Sequence, residues 1–255
     1  MDFSVSFVVN NTPIYRIMPL KRIKGMVEEK RNTLMRPSSW DDPHEMNNSN
    51  SVIVTEKGNV PLDASHWFGQ CWSLCEESAI MWQAFKKSQE PYVKIKIHAF
   101  DLVRELKSKD DGLRISVLGY VRYFNPNISD YEKALKDCMS MHQWPQNFLS
   151  KGVTIAELFP LYSLLTKRDV FKHEEEVRLL LFDKSSSESQ ESISYPFNPD
   201  VLKEVVIDPW TSLDDDKYVK IESELREYLP EDKTVIRKSE VFSDSSKFSI
   251  RYHIK

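Results

Sequence analysis

The run "VFKHEEEVRLLLFDK", residues 170 to 184, constrains the fold more than any other part of the chain. Three glutamates, Glu174, Glu175 and Glu176, stand directly before an apolar stretch from Val177 to Phe182 that only Arg178 interrupts. A short apolar run of this kind reads as a buried strand. Side chains alternate along a strand, so Glu174, Glu176 and Arg178 are expected on one face, and Glu175, Val177 and Leu179 on the other. Charge carried that close to a core is paired or has chemistry to do.

Around this strand the periodicities alternate between strand and helix. "SVSFVVN" and "PIYRI" read as short strands, and "PLKRIKGMVEEK" as a helix opened by Pro19 with Leu20, Ile23, Met26 and Val27 inward. "NTLMRP" is a further strand, and the polar segment from Ser38 to Ser65 is expected to be a long loop. "HWFGQCWSL" is expected as a strand and "CEESAIMWQAFKKS" as a helix with Ile80, Met81, Ala84 and Phe85 inward. In "YVKIKIHAF" the alternation is clean: Val93, Ile95, Ile97 and Ala99 face a core, while Lys94, Lys96 and His98 face out. "LRISVLGYVRYF" is a candidate strand, and capping boxes open helices near Ser129 and Thr154. The polar run "KSSSESQESIS" then leads to the strand "LKEVVID", an amphipathic helix, and closing strands "KTVIRK" and "FSIRYHI". The sum is one α+β domain over 1–255, a mixed sheet with flanking helices.

With 255 residues and 40% hydrophobic content the chain can bury a full core. A net charge of -4 gives no global field to hold it on duplex DNA, so any nucleic-acid contact must be local. Cys71, Cys75 and Cys138 lack the paired spacing of a zinc ribbon, which points to a reduced cytoplasmic setting and no metal. Neither a secretory leader nor a membrane span is read.

With only 6 glycines there is no Walker A loop and no GxGxxG turn, and "HEEEV" is not a zinc-binding HExxH because position 177 is Val. No serine elbow is present. Four separated segments remain. In "IYRI", Arg16 is either a surface arginine with a carboxylate partner or a fork for a phosphate. In "SSWDDPHE", Asp42, Pro43 and Glu45 make a turn by their chemistry alone. In "CWSLCEESAIMWQAF", Ser73 and Glu76 have capping-box spacing, and Trp72 and Trp82 are core residues or platforms for a flat ring. In the glutamate strand, Glu176 is either salt-bridged to Arg178 at a charged strand entrance or a catalytic carboxylate.

Taken together, Tyr15 and Arg16, "DDPHE" at 41 to 45, Cys71 to Ser73 with Met81 and Trp82, and Lys167 with Glu174, Glu176 and Arg178 resemble the bacterial domain-of-unknown-function family 2971 over about residues 13 to 210. His173, where an aromatic is usual, and Gln83 to Phe85, in place of a His-Tyr stretch, depart from that pattern. The segment order, an Arg strand and helix, then a Ser strand, then a Glu at the head of a late strand, looks like the ADP-ribosyltransferase superfamily, including its toxin and phage-defence branch. That resemblance implies an ADP-ribosyltransferase-like split sheet and NAD as cofactor. It implies Glu176 as catalytic carboxylate with Glu174 in support, and Ser73 orienting the ribose or Glu176. Arg16, Tyr15, Trp72 and Arg178 would hold the cofactor. Two further readings stay open: an NAD glycohydrolase with the same site, and a non-catalytic module or sensor in a defence or toxin-antitoxin system. The basic positions Lys94, Lys96 and His98, with Lys21, Arg22, Lys24, Lys30 and Arg31, point to a single-stranded nucleic acid, RNA or DNA, as acceptor, or else form a solvated face laced with Glu28 and Glu29. An antitoxin or inhibitory protein is the further expected partner.

Overall fold

The computed structural model describes residues 2–6, 11–40, 42, 52–56, 58–106, 114–140, 152–230 and 232–242. The run at 177–182 lies in β11 (Glu176–Asp183), which is buried along its whole length. Its neighbours are β8 (Arg114–Tyr120) and β6 (Trp67–Ser73), both antiparallel to it. Outward from β8 comes β1 (Asp2–Ser6), paired in parallel. On the other side of β6 the order runs β2 (Pro13–Pro19), β7 (Tyr92–His98), β13 (Glu204–Ile207) and β14 (Val235–Lys238). A branch carries β3 (Arg31–Met35) and β12 (Ser192–Pro196), giving ten strands in one mixed sheet with helices on its faces. The α+β expectation is met.

The branch is the feature that positions the site. β6 meets β11 at seven paired positions, but meets β2 only at Tyr15↔Ser73 and β3 only at Met35↔Gly69. β2 and β3 therefore leave the edge of β6 at its two ends and diverge, and α1 (Leu20–Glu28) connects them across the gap. This helix forms as its pattern predicts, with Pro19 before its first turn and Leu20, Ile23, Met26 and Val27 buried. They join a core with Ile14, Met18, Ile95, Leu179 and Leu181, also covered by α3 (Ala99–Glu105) and α8 (Asp215–Arg226). Full burial of each such side chain contributes about 2 kcal/mol.

The opposite face is covered in two separate patches. Under α4 (Ile128–Ser140), α5 (Ile155–Leu158) and α6 (Pro160–Leu164) lie Trp67, Ile115, Val117, Leu180 and Phe182. Under α2 (Ala79–Phe85) lies a smaller cluster of Trp82, Tyr92 and Val206. Between the patches runs a polar strip. A short helix α7 (Pro209–Ser212), the two-stranded pair β9 (Arg122–Phe124) and β10 (Thr166–Arg168), and the hairpin β4 (Val52–Thr55) with β5 (Gly58–Pro61) complete the described elements.

Several expectations are corrected. The 38–65 segment holds the β4–β5 hairpin, turning at Gly58 with positive φ. α2 starts at Ala79 with Ser78 before it, four residues later than the run from Cys75 suggests. Its phase shifts accordingly: Met81 and Trp82 are buried, but Ile80 is 57% exposed and Ala84 is exposed too. α4 begins at Ile128, and the amide of Asp130 donates to Asn127 Oδ1, so Asn127 does the capping expected of Ser129. The Thr154 capping box is present in full. Glu174 ends a 3-10 turn, Asp169–Glu174, and Glu175 is left-handed at φ 44, so the strand begins only at Glu176. "FSIRYHI", Pro43 and Glu45 lie outside the described residues.

Candidate functional site at the sheet branch

Residues opposite one another in an antiparallel ladder share a face. The pairs Glu204↔Lys96, Lys96↔Tyr15, Tyr15↔Ser73 and Ser73↔Glu176 therefore form one polar row across β13, β7, β2, β6 and β11. It occupies the strip between the two apolar patches. Three segments picked out in the sequence meet here, since the Tyr15, Ser73 and Glu176 strands are consecutive neighbours.

Glu176 is 3% exposed and Arg178, on the same face two residues on, is fully buried. Arg178 Nε donates to Glu176 Oε1 at 2.9 Å and Nη2 to Oε2 at 3.0 Å, a bidentate fork, while Nη1 reaches the Leu164 carbonyl at 2.7 Å. Lys167 Nζ bridges Glu176 Oε2 at 3.1 Å and Glu174 Oε2 at 2.7 Å. Burial alone would raise the Glu176 carboxyl. The Arg178 charge and hydrogen bonds, the Lys167 charge and the Cys71 thiol outweigh it and hold the group at about 2. Trp40 stacks over the Arg178 guanidinium at 4.6 Å. It can do so because position 69 is glycine: a Cβ there would stand 2.6 Å from Trp40 Cζ2. The backbone is fixed as well, since the Glu176 amide donates to the Tyr123 hydroxyl at 2.8 Å.

Ser73 is not the cap that its spacing to Glu76 suggests. Its hydroxyl donates to the Glu174 carbonyl at 2.6 Å and accepts from the Cys75 amide at 2.9 Å, tying the turn before Glu176 to the end of β6. Asp42 is paired with Arg168, the last residue of β10, at 3.0 Å.

The basic stripe on β7 is only partly at the surface. Lys94 is 2% exposed, because α2 and the turn before it cover this face. Its ammonium donates to the Glu76 carbonyl and lies 5.0 Å from the centre of the Tyr15 ring, and burial pushes it below its ordinary range. Lys96 and His98 are half-buried; Lys96 lies 5.7 Å from the Tyr15 ring and His98 Nδ1 is 3.1 Å from the Asn11 carbonyl oxygen. Burial pushes the Tyr15 phenol itself up to about 12.

Arg16 and Trp72 belong to the other face. Tyr15 and Arg16 are adjacent on one strand, so they cannot both point at Glu176. Arg16 instead lies over Trp72, 6.0 Å from its centre, at the mouth of the gap between β2 and β3. A hydrogen-bonded chain fills that gap. The Trp72 indole donates to Gln70 Oε1 at 2.9 Å, Gln70 Nε2 donates to Asn32 Oδ1 at 2.8 Å and the Thr33 carbonyl at 3.2 Å, and Asn32 Nδ2 donates to the Tyr195 hydroxyl at 2.8 Å. Burial, with the Arg22 charge adding to it, pushes the Arg16 guanidinium down to about 9; Cys71 and Tyr195 act the other way. The Cys71 thiol thus acts on both the Glu176 carboxylate and the Arg16 guanidinium. Arg22, a few residues on in α1, carried no sequence signal beyond membership of a basic run.

No family model matches the chain, including any for the family its motif order resembles, and no curated protein matches it. Among solved structures, similarity is found to Thermus sp. 2.9 DarT in three complexes. The complex with carba-NAD+ has a TM-score of 0.39 and 10% identity, covering 91% of this chain and 97% of the other. The NAD+ complex has 0.37 and 12%, covering 90% and 96%, and the complex with ADP-ribosylated ssDNA 0.36 and 14%, covering 90% and 95%.

Proposed function

We propose that the chain is an NAD-dependent ADP-ribosyltransferase acting on a macromolecule, with its site at the branch of the sheet. The observation that carries the reading is the polar row: the motif strands meet edge to edge and bring Tyr15, Ser73 and Glu176 into register. Glu176, held at about 2, stays ionised at neutral pH, as needed of a group that stabilises positive charge on a ribose. The bond from ribose C1′ to the nicotinamide nitrogen breaks, the electron pair leaves with neutral nicotinamide, and an oxocarbenium-like centre forms. The acceptor's nucleophile then bonds to C1′, and a carboxylate takes its proton. Glu174, with one oxygen on Lys167, takes that second role in this reading. A ribose hydroxyl reaches Glu176 by replacing Lys167 on Oε2, the less buried of its two cationic partners. Tyr15 offers a ring in the same row, and Arg178 fixes the carboxylate. The resemblance to toxin and phage-defence transferases supports a role of that kind, held in check by an antitoxin or inhibitory partner. With Lys94 buried, a nucleic-acid acceptor draws its support from Lys96 and His98.

A second reading is favoured by one specific observation: both oxygens of Glu176 already have cationic partners, as a purely structural ion network requires. Incubation of the full chain with labelled NAD+ and separate protein, RNA and single-stranded DNA pools separates these. Transfer to a pool supports the proposal, free ADP-ribose makes the chain a glycohydrolase, and no turnover makes it a binding module. In the first case Glu176→Gln should lower turnover about 100-fold, and unchanged turnover in a folded variant would falsify the assignment.

A further inference from the structure

We infer that Tyr123 is a sugar-contacting residue of the carboxylate site: its hydroxyl, anchored on the main chain of Glu176, donates to one hydroxyl of a ribose cis-diol while Glu176 accepts from the other. The naming of a ribose rests on the proposed function, while the donor–acceptor pair itself rests on these side chains.

β9 and β10 stand outside the ten-stranded sheet as a parallel pair, and the register Lys167↔Tyr123 sets these two residues side by side. Both reach Glu176. Lys167 Nζ lies 3.1 Å from its Oε2, and the Tyr123 hydroxyl accepts from its amide at 2.8 Å. The Glu176 carbonyl in turn accepts from the Val121 amide at 2.9 Å, so the start of β9 is pinned to the head of β11 twice over. A phenol oxygen that accepts an N–H still has its own proton to give. Among the described residues that proton meets no acceptor. Burial, with the Glu176 and Glu174 charges adding to it, pushes the phenol above its ordinary range although the Glu176 amide acts the other way, so the hydroxyl is a donor at neutral pH. A tyrosine on open surface turns its hydroxyl to water; here the oxygen is tethered to the residue that carries the carboxylate, and the side chain is half-buried beside it.

The pairing of groups selects the ligand. An ionised carboxylate only accepts, and a tethered phenol has a proton left to donate. Neighbouring hydroxyls of a ribose satisfy both at once, one giving its proton to Glu176 and the other accepting from Tyr123. A carboxylate that stabilises charge at C1′ acts best through the adjacent 2′-hydroxyl, which leaves the 3′-oxygen to Tyr123. Lys167 and Tyr123 are half-buried rather than sealed, so the sugar enters along β9 and β10 as Lys167 leaves Oε2 and stays on Glu174, which it already holds at 2.7 Å.

Isothermal titration calorimetry of the full chain with NAD+, and with an analogue lacking the 3′-hydroxyl of the nicotinamide ribose, tests this directly. The unmodified chain should bind NAD+ about ten-fold more tightly than the analogue, and Tyr123→Phe should bind the two alike. Tyr123→Phe also leaves the Glu176 amide without its acceptor, so its melting temperature should fall; any affinity lost that way falls on both ligands and cancels in the ratio. Equal affinities in the unmodified chain overturn the inference without any variant, and so does a Tyr123→Phe ratio that stays at the unmodified value. Turnover of labelled NAD+ alongside either of those results keeps the transferase and removes the sugar contact. A Tyr123-dependent ratio in a chain without turnover keeps the contact and removes the transferase reading, and a chain that binds no NAD+ overturns both.

Discussion

β6 separates two charged regions built on opposite principles. On one face Glu176, Arg178, Lys167 and Glu174 neutralise one another through a bidentate fork and a bridging ammonium. On the other, Arg16 lies over the Trp72 ring, with no carboxylate partner among the described residues. The first region is complete as it stands, and removing a member exposes its partners to an uncompensated burial penalty. The second rests on a ring face and burial rather than on opposite charge. Two buried charges on one pair of strands are thus stabilised in different ways, one by opposite charge and one by an aromatic face.

The largest effect should come from breaking the closed network. Arg178→Ala leaves Glu176 buried without its fork and should destabilise the protein by about 3–5 kcal/mol in urea denaturation; a loss below about 1 kcal/mol would mean that the network is not what it looks like. Acid is the gentler probe. Glu176 is depressed from 4.5 to about 2 in the fold, so its contribution is fully present above 4.5 and disappears as pH falls through 4.5 toward 2. The loss should reach about 3 kcal/mol and be absent from Glu176→Gln. The smallest effect belongs to the open side. Arg16→Met removes a charge that burial already disfavours and should raise stability by up to about 1 kcal/mol, while NAD+ affinity measured by calorimetry falls. Destabilisation of Arg16→Met beyond about 2 kcal/mol would make the two sides alike.

What could be read beforehand follows from the range of each interaction. β7 and α1 are legible because their patterns are local: Val93, Ile95 and Ile97, like Leu20, Ile23, Met26 and Val27, are buried as the spacing requires. The Glu176–Arg178 pair is legible for the same reason, since two residues on a strand share a face. Lys94 shows the limit. Alternation says that it points away from Ile95, but not that α2 lies over it. The shift of α2 to Ala79 depends on Ser73 capturing the Cys75 amide while bonded to Glu174, 101 residues away in sequence. Grouping Arg16 with Glu176 as one site overlooked that Tyr15 and Arg16 must point oppositely.

The branch at β6 also has a mechanical consequence. A sheet whose central strand meets one neighbour at seven positions and each of the two strands on its other edge at one is, under load, two leaves hinged on a common spine. Parting β2 from β6 breaks very little main-chain bonding, while β11 stays fastened. Thermal flexing therefore concentrates along that seam, and backbone amides bordering it should be the first in the sheet's interior to trade their protons with solvent.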